Sequence, residues 1–529
     1  MHVAVEAAVL ILLCTTSSQG RVLSRMKAYE ELRTAIVDAE AGYGLGGKVF
    51  LNSDELRADR TLRALKRSEL EGPDRVQPGP AGMHFFDAKP LIENSIVYGA
   101  LKLMPKGAIL HLHNSAAVSS GWVIRNLTYR REARLCNVEG RYYFTVRTLS
   151  ICPENQTRLI GDMRKERQKD IVAFDEWLES LINMKLKPSR NRHATIDELW
   201  MEFESCFDAI KGFLQYKPFF EAYHRQLLQE FHNDNVYYIE LRASLSKLFD
   251  SNGKEYGPPE VAYILHQIVE DFRRQHPTFH GVKIILSKHK NMSNAELESA
   301  LKLYESLSAT FPGFVVGFDL VGQEDMNRSL RSFASSLLEP PTSSGPPNYF
   351  FHAGEIGKRF SSSDSNILSF AIISVGYFSE ANENVMDAIL LDTKRIGHGY
   401  ALIKHPILWH AVRRKQIALE VCLISNQVLG LVRDLRNHPA SFYVAQNIPI
   451  AITSDDPGFW DAIGVTFDYY YAFMAIAPQA GLGFLKQLVW DSIRYSSLSD
   501  EERQNITQTM EKQWALFIRE MAREKRTGN

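Results

Sequence analysis

The sequence has almost no net charge and no apolar run long enough to cross a bilayer. Its 61 Lys and Arg residues are matched by 62 Asp and Glu residues, for a net charge of −1 at pH 7. Nothing therefore indicates nucleic-acid binding through bulk electrostatics. The apolar runs at 7–14 and 367–378 fall short of the roughly 20 residues that a membrane-spanning helix needs. The remainder, 45% hydrophobic and 23% charged in 529 residues, is typical of a soluble globular protein with a sizeable core.

Cysteine is also scarce, with five in the whole chain. Residues 1–20 hold a short apolar core followed by small polar residues, which predicts a cleavable signal peptide, although no Lys or Arg precedes the core. A buried N-terminal helix is the alternative. Cleavage would leave four cysteines, of which Cys136 and Cys152 lie close together in a loop-rich stretch and are the candidates for a disulfide. Cys206 and Cys422 lie in apolar patterns and are predicted to be buried free thiols.

A signal peptide predicts a secreted, extracellular protein, and that prediction gives weight to the Asn-x-Ser/Thr sequons. Each sequon is a weak signal alone, because glycosylation also requires passage through the secretory pathway. The five candidate glycosylation sites are Asn126, Asn155, Asn291, Asn327 and Asn505.

Eight short β-rich runs, most of them separated by helical patterns, organise the middle of the chain. They lie at 108–113, 236–242, 282–287, 314–320, 349–352, 395–398, 417–423 and 450–454. Alternating β and α units predict an α/β fold with a parallel sheet, and eight of them predict a (β/α)8 TIM barrel over residues 104–510. In such a barrel the polar residues that follow many of these runs would meet at one mouth.

Three segments lie outside the barrel pattern. Residues 21–103 are helical in pattern and show no catalytic signature, so we interpret them as an appendage that packs on a neighbour or on a second subunit. Residues 126–188 contain Cys136, Cys152 and two sequons between the first and second barrel strands, which indicates an inserted domain or a large loop. Residues 511–529 form a C-terminal helix or tail.

The first and fifth predicted strands end in histidines. His111-Leu112-His113 places imidazoles at i and i+2, which face the same side of a strand and could share a metal ion. Two solvated histidines on a strand face are the alternative. His352-Ala353-Gly354-Glu355 follows an aromatic run and places a histidine at a strand end with an acid just beyond. Taken alone, it is better explained by a satisfied core histidine beside a solvated glutamate.

Two later motifs carry the remaining candidates. Arg395-Ile396-Gly397-His398-Gly399 brackets a histidine with glycines that permit close backbone approach, although a tight turn with an incidental histidine fits it as well. Ser454-Asp455-Asp456-Pro457 points adjacent carboxylates to opposite sides, so that one could bind metal while the other reaches a ligand. An Asx turn or a helix N-cap before Pro457 is the alternative.

Together, these strand ends supply the nitrogen and oxygen ligands that suit zinc with an open position for water. Glu355 and His398 are then left over as an acid and a base. The three imidazoles would be those of His111, His113 and His352, and one of the two adjacent aspartates would complete the set.

The four motifs resemble the signature motifs of the adenosine deaminases. The chain more closely resembles their secreted branch, the adenosine-deaminase-related growth factors. Two further stretches fit that branch, namely Gly317-Phe318-Asp319-Leu320-Val321-Gly322 and Ile424-Ser425-Asn426-Gln427-Val428-Leu429. The resemblance covers nearly the whole mature chain. It implies one zinc ion per subunit, held by His111, His113, His352 and Asp455.

For catalysis, the resemblance implies that Glu355 donates a proton to the purine ring nitrogen as C6 is attacked. It implies that His398 orients and deprotonates a zinc-bound water. Zinc lowers the pKa of bound water from 15.7 to about 7, and a carboxylic acid that donates a proton near neutral pH needs a raised pKa. The other class of zinc deaminases carries a Pro-Cys-x-x-Cys signature, which this chain lacks.

For binding, the resemblance implies that Asp456 hydrogen-bonds the purine, that the Gly354 backbone touches it, and that Trp200 lies near the nucleoside. The N-terminal helices resemble the dimerisation segment of the branch, so we expect a homodimer. The expected substrates are adenosine and 2′-deoxyadenosine, and a cell-surface receptor or glycan is a further candidate partner.

The chain departs from the branch at several positions. Asn114 stands where the branch has an aspartate, Gln323 where it has a histidine, and Leu423 where it has a proline. The residues at 356–358 do not match, and the segment 356–394 is longer than usual. These departures concern the mouth and the substrate rather than the metal ligands. They keep open a secreted growth-factor-like signalling protein with a weakened site, while a barrel metal hydrolase for another amide or amine is a further alternative.

Overall fold

The computed structural model describes residues 22–71, 78–147, 153–167, 170–188, 194–355 and 380–523. The predicted signal peptide at 1–20, Cys152 and residues 356–379 lie outside these ranges. Within them, no helix combines the length and the apolar character that crossing a bilayer requires.

The strands form two parallel sheets and two small antiparallel sheets. In chain order, the described strands are β1 (Gly107–His113), β2 (Arg134–Val138), β3 (Arg141–Thr145), β4 (Thr157–Leu159), β5 (Val236–Ala243), β6 (Leu248–Phe249), β7 (Glu255–Tyr256), β8 (Gly281–His289), β9 (Val315–Val321), β10 (His352–Ala353), β11 (Arg395–His398), β12 (Ala418–Val421) and β13 (Ile450–Ile452). One parallel sheet has the order β1-β5-β8-β9 and the other the order β10-β11-β12-β13.

Two isolated parallel bridges join the two sheets at both edges. Phe318 of β9 pairs with Tyr349, which precedes β10, and Leu112 of β1 pairs with Asp455, which follows β13. The eight parallel strands therefore close into a barrel whose carboxyl ends open at one mouth. The predicted α/β class with a parallel sheet is confirmed.

The barrel strands have mostly apolar sequences because they are buried on both faces. Every residue of β5, β11, β12 and β13 is buried, as expected for parallel strands covered by helices on one side and by the barrel interior on the other. Charged residues at such positions must be paired, because an isolated buried charge is costly. Across the barrel interior, Arg242 in β5 pairs with Glu420 in β12, and Glu240 in β5 pairs with Arg395 in β11.

The seventh predicted strand is shorter than the apolar run 417–423 indicated. β12 ends at Val421, and the helix Leu423–Val428 begins two residues later. Asp468 favours the helix because its carboxylate accepts the Ile424 backbone N–H at 3.2 Å, which satisfies a donor of the first turn. The prediction that Leu423 belongs to a strand is therefore wrong.

The helices surround the barrel and continue at both ends of the chain. A capping box of Thr195 and Glu198 begins the long helix Ile196–Leu214, which leads to the barrel mouth. The described helices are Val22–Tyr43, Ser53–Glu71, Gly79–Gly82, Phe85–Glu93, Ile96–Leu103, Ser120–Asn126, Ile160–Glu166, Ile171–Ser180, Ile196–Leu214, Lys217–Asn233, Pro258–Gln275, Asn294–Thr310, Ala334–Leu338, Glu380–Leu390, Pro406–Lys415, Leu423–Val428, Ala440–Ala445, Thr466–Tyr471, Leu482–Arg494 and Asp500–Ala522.

Within the predicted insertion at 126–188, β2, β3 and β4 form an antiparallel sheet that is separate from the barrel sheets. The helix Ile196–Leu214 lies directly against this sheet. A Cβ on Gly212 would lie 2.3 Å from the carbonyl oxygen of Phe144, so the close approach requires glycine. The bounds of the insertion as a domain stay a prediction.

The cysteines and the sequons have different outcomes. Cys206 and Cys422 are free and buried, as predicted. Cys136 is buried on β2, but Cys152 lies outside the described residues, so their disulfide stays a prediction. Four of the candidate asparagines are exposed and Asn327 is half-buried. The exposed four are Asn126, Asn155, Asn291 and Asn505.

The terminal segments pack differently on the barrel. The first helix, Val22–Tyr43, leaves Met26 and Tyr29 more than half exposed. The second, Ser53–Glu71, packs against the C-terminal helix Asp500–Ala522. The predicted boundary at residue 510 falls inside that continuous helix. A dimer formed through the N-terminal helices stays a prediction.

Candidate active site

A cavity of about 510 Å³ opens at the carboxyl ends of the barrel strands. Its volume lies in the range of roughly 300–1,000 Å³ that is common for small-molecule sites. Seven of the residues predicted from the sequence line it, namely His113, Trp200, His352, Glu355, His398, Asp455 and Asp456. The strand ends thus converge as the sequence predicted, and His111 lies just below them.

The four predicted metal ligands come together in one cluster. Each offers a ligand atom, and these atoms all lie within 4.8 Å of one another. The Oδ1 atom of Asp455 lies 3.1 Å from His111 Nε2 and 3.2 Å from His113 Nε2, and His113 Nε2 lies 3.3 Å from His352 Nε2. His111 is fully buried and the His113 side chain is 14% exposed, which excludes two solvated histidines on a strand face.

The hydrogen bonds behind two of these histidines define which ring nitrogens are free. His111 Nδ1 lies 2.8 Å from a Glu420 carboxylate oxygen, and His352 Nδ1 lies 2.7 Å from one of Asp319. A carboxylate only accepts, so each Nδ1 carries the proton and each Nε2 presents a lone pair to the cluster. Burial also lowers the pKa of His352 to about 3, which keeps this imidazole neutral.

Lone pairs that face one another without protons repel, and a cation bound between them would remove that repulsion. The Nε2 atom of His111 and the Oδ1 atom of Asp455 are buried and have no hydrogen-bond partner among the described residues. Three imidazole nitrogens and one carboxylate match the nitrogen and oxygen donors that zinc prefers. The residues present therefore fit the metal ion.

A buried charge network holds the cluster from below. Glu420 accepts hydrogen bonds from Arg242 and Arg395, both at 2.6 Å, in addition to the bond from His111. Arg242 also donates to Asp319 at 2.8 Å. Burial opposes ionisation of Glu420, but the two guanidinium groups hold its pKa well below the usual range. Glu420 is not among the residues predicted from the sequence, although a single acid within the apolar run 417–423 was a signal for it.

Glu355 lies at the edge of the cluster and is 3% exposed, so it is not the solvated glutamate that the sequence alone favoured. Its Oε1 atom lies 3.6 Å from His398 Nε2. Burial, together with the carboxylates of Asp455 and Glu324, raises the pKa of Glu355 well above the usual range. A carboxylic acid in this environment holds its proton, as an acid catalyst must.

The backbone that carries Glu355 is fixed by a second glutamate. Glu324 accepts the backbone N–H groups of Gly354 and Glu355 at 3.0 and 3.1 Å and the side-chain amide of Asn384 at 2.6 Å. Gly354 has a φ of +73°, and a Cβ there would lie 2.5 Å from Val385, so glycine is required. Because the Gly354 amide is already engaged, its contact with a substrate stays a prediction. Glu324 and Asn384 are not among the residues predicted from the sequence.

His398 and Asp455 both occupy the left-handed region with φ of +60°, which is uncommon for residues other than glycine. This backbone conformation turns each side chain into the mouth immediately after its strand. His398 Nε2 lies 3.8 Å from Asp455 Oδ2. Burial lowers the pKa of His398 well below the usual range, so the ring is neutral.

Asp456 and Trp200 provide polar atoms that have no partner in the described part of the chain. Asp456 is the residue before the 3-10 helix Pro457–Phe459, but its side chain does not cap that helix, in contrast to the alternative from sequence. Its buried Oδ1 atom and the Nε1 atom of Trp200 both lack hydrogen-bond partners among the described residues. Both residues line the cavity and can hydrogen-bond a ligand there.

The departures from the family pattern lie at the mouth and beside it. Asn114 lines the cavity, and its backbone N–H donates to the carbonyl oxygen of Arg242 at 3.0 Å. Gln323 donates to Asp197, in the first turn of the helix that carries Trp200, at 2.8 Å. Residues 356–358 lie beyond the described part of the chain.

Comparison with known proteins places the chain among deaminases. Residues 379–513 match the family described as "Adenosine deaminase", and residues 8–101 match "Adenosine/AMP deaminase N-terminal". The chain is 37% identical to Adenosine deaminase 2 of Pongo abelii and 36% identical to that of Homo sapiens, over 97% of each chain in both cases. It is 35% identical to an Adenosine deaminase of Phlebotomus duboscqi, over 92% of this chain and 91% of that one.

Solved structures share the fold at low sequence identity. The N6-mAMP deaminase of Arabidopsis aligns with a TM-score of 0.53 at 15% identity, covering 78% of this chain and 99% of that one. An amidohydrolase from Burkholderia ambifaria with bound Zn aligns with a TM-score of 0.54 at 15% identity, covering 80% and 94%. The sequence relatives, which match over nearly the full length of the chain, show the family as well as the fold. The chain therefore belongs to the adenosine deaminase family and is a deaminase hydrolase.

Proposed function

We propose that this protein hydrolyses adenosine and 2′-deoxyadenosine to inosine and 2′-deoxyinosine with release of ammonia, and that it uses one zinc ion. The observation that carries the proposal is the cluster of three imidazoles and Asp455 beside Glu355, whose pKa is raised, and beside a buried carboxyl oxygen of Asp456 that has no partner among the described residues. The relatives named adenosine deaminase support the same substrate class.

His111, His113, His352 and Asp455 would hold the metal ion, which as a Lewis acid would make water a nucleophile near neutral pH. The other steps belong to the side chains. Glu355 donates its proton to the ring nitrogen next to C6, which relieves the negative charge that builds on the purine during attack. His398 orients the attacking water through Nε2, which is aimed at the same point as the Glu355 carboxyl.

Asp456 and Trp200 hold the nucleoside in place. Asp456 Oδ1 is buried, lacks a partner within the described ranges and lines the cavity, so we assign it the hydrogen bond to the purine. Trp200 also lines the cavity and offers an aromatic face and an N–H that has no partner among the described residues. Binding the purine between these groups satisfies polar atoms that are otherwise costly to bury.

We further propose that the protein is secreted, that it lowers extracellular adenosine, and that it acts as a homodimer. The apolar core within residues 1–20 and the exposed asparagines of four sequons support the secretory route. The exposed residues of the helix Val22–Tyr43 support a subunit contact there. The Cys136–Cys152 disulfide and a receptor or glycan partner belong to the same proposal.

The decisive experiment mixes the purified full-length protein with adenosine and follows the ultraviolet change to inosine, with and without a chelator. We expect turnover that the chelator abolishes and added zinc restores, together with one zinc ion per chain by metal analysis. No turnover at high protein concentration would instead favour the signalling protein with a weakened site, to which Asn114 at the mouth lends weight. Turnover of other amines alone would favour a different metal hydrolase.

A further inference from the structure

A line of buried hydrogen bonds runs from the back of His398 to a backbone amide outside the barrel mouth. His398 Nδ1 lies 3.2 Å from the side-chain nitrogen of Asn426, and Asn426 Oδ1 lies 2.9 Å from His438 Nε2. His438 Nδ1 in turn accepts the backbone N–H of Ala440 at 3.0 Å. His398, Asn426 and His438 are each at most 2% exposed, so these bonds are shielded from water.

The direction of every bond in this line follows from its backbone end. The Ala440 N–H can only donate, so His438 Nδ1 is the unprotonated nitrogen of that ring. Burial lowers the pKa of His438 to about 3, so the ring is neutral and its proton lies on Nε2. That N–H donates to Asn426 Oδ1, which fixes the orientation of the amide. The Asn426 NH2 then donates to His398 Nδ1.

His398 therefore accepts at Nδ1, and a neutral imidazole that accepts at one nitrogen carries its proton on the other. The remaining nitrogen, Nε2, lies 3.6 Å from the Glu355 carboxyl and 3.8 Å from Asp455 Oδ2. The proton thus faces the cavity at the point where the ligand atoms converge. Turning the Asn426 amide over would place its NH2 against the N–H of His438 and lose that bond.

We propose that Asn426 and His438 are positioning residues that fix His398 in the tautomer with the proton on Nε2. His398 then enters the reaction as a hydrogen-bond donor to the attacking oxygen, and not as a free base. A donor at this position directs a lone pair of the oxygen towards C6 of the purine. This inference rests on the proposed deamination for the part that His398 plays, whereas the tautomer itself is a property of the resting protein.

The ring nitrogens of His398 can be observed directly by 15N NMR on the full-length protein labelled at histidine. A His398→Gln variant identifies the resonances, and the spectra are recorded with and without added zinc. We expect a protonated Nε2 and an unprotonated Nδ1 in the wild-type protein. A protonated Nδ1 with a bare Nε2 would overturn the proposal, and this result is obtained whether or not the protein turns over adenosine.

Asn426→Asp reverses the bond at nearly constant size, because a carboxylate accepts from both neighbours. His398 must then carry its proton on Nδ1 and present a bare Nε2, and the 15N spectrum should switch accordingly. We expect kcat for adenosine to fall about 10²-fold with little change in KM. An unchanged spectrum, or a kcat equal to or above that of the wild type, would contradict the proposal, since a carboxylate behind the ring favours a base.

Two further variants separate positioning from stability. Asn183→Asp introduces a carboxylate at another buried asparagine, which lies in the predicted insertion and donates to Ser120, and it should leave kcat unchanged. His438→Gln keeps an N–H donor for Asn426 and should keep the His398 tautomer, whereas His438→Phe removes the donor and should lose it. Identical His398 spectra in these last two variants would refute a role for His438. If wild-type protein fails to deaminate adenosine, the proposed function fails while the tautomer is still decided by NMR.

Discussion

Glu324→Gln tests how the backbone of the catalytic acid is held. In the wild-type chain both Glu324 oxygens accept backbone amides, from Gly354 at 3.0 Å and from Glu355 at 3.1 Å, and Lys290 lies 3.7 Å away. A glutamine has one oxygen and one NH2, so in either orientation one backbone donor faces another donor. The variant also leaves the fully buried Lys290 without a carboxylate partner.

The expected cost combines these two effects. Leaving a buried donor unsatisfied lowers the free energy of unfolding by about 1–3 kcal/mol. Breaking a buried ion pair by removing one partner lowers it by about 3–5 kcal/mol. We expect unfolding by denaturant to report a loss of this size. Because a displacement of about 1 Å at a reacting group can cost about 10²-fold in rate, kcat for adenosine should fall to about that extent in the protein that is still folded.

Glu305→Gln is the matched control. Glu305 also accepts two consecutive backbone amides, from Ser343 and Ser344 at 2.6 and 2.9 Å, but it is solvent-accessible and lies outside the cavity. Both amides donate to the same oxygen of Glu305, which the glutamine retains, so we expect a change of about 0.5 kcal/mol or less and an unchanged kcat. Should Glu324→Gln behave like this control in both measurements, the Glu355 backbone is held by something other than Glu324.

Three further outcomes are expected. Glu355→Gln should retain stoichiometric zinc by metal analysis and lose about 10²–10⁴-fold in kcat, because the proton donor is removed; full activity would remove Glu355 from the mechanism. Asp456→Asn should raise KM for adenosine or lower kcat without changing zinc content; unchanged kinetics would exclude Asp456 from purine binding. Burial raises the pKa of Asp491 to about 6, so the folded state holds that proton more tightly and loses stability as pH rises through this value. The free energy of unfolding of Asp491→Asn, measured by denaturation, should therefore rise relative to that of the wild type between about pH 4 and pH 7. A difference between the two proteins that stays constant with pH would refute this assignment.

The strand ends could be predicted from sequence because each combines an apolar run with polar residues placed directly after it. The pattern at His111 and His113 needs only the period of a strand to put both rings on one side. The same reasoning located His352, His398 and Asp455, although each motif alone fitted a commoner explanation. Their convergence followed from the barrel, in which all carboxyl ends share one mouth.

The residues that support the site could not be predicted from the sequence in this way. Glu420 lies 309 positions from His111, and Glu324 lies 60 from Asn384, so no local period links either pair. Single acids in buried runs also fit surface positions equally well until their partners are known. The short strand β12 was overestimated for a related reason, because the amide acceptor that starts the following helix, Asp468, lies 44 residues further on.

The barrel consists of two half-sheets whose backbones, in the described part of the chain, pair through one isolated bridge at each seam, at Leu112 with Asp455 and at Phe318 with Tyr349. His111 and His113 belong to one half, and His352 and Asp455 belong to the other. A cation bound by all four residues would cross-link the two half-sheets. The stability of the barrel and the catalysis at its mouth would then depend on the same ion. Loss of the ion would then lower the free energy of unfolding as well as the rate of turnover.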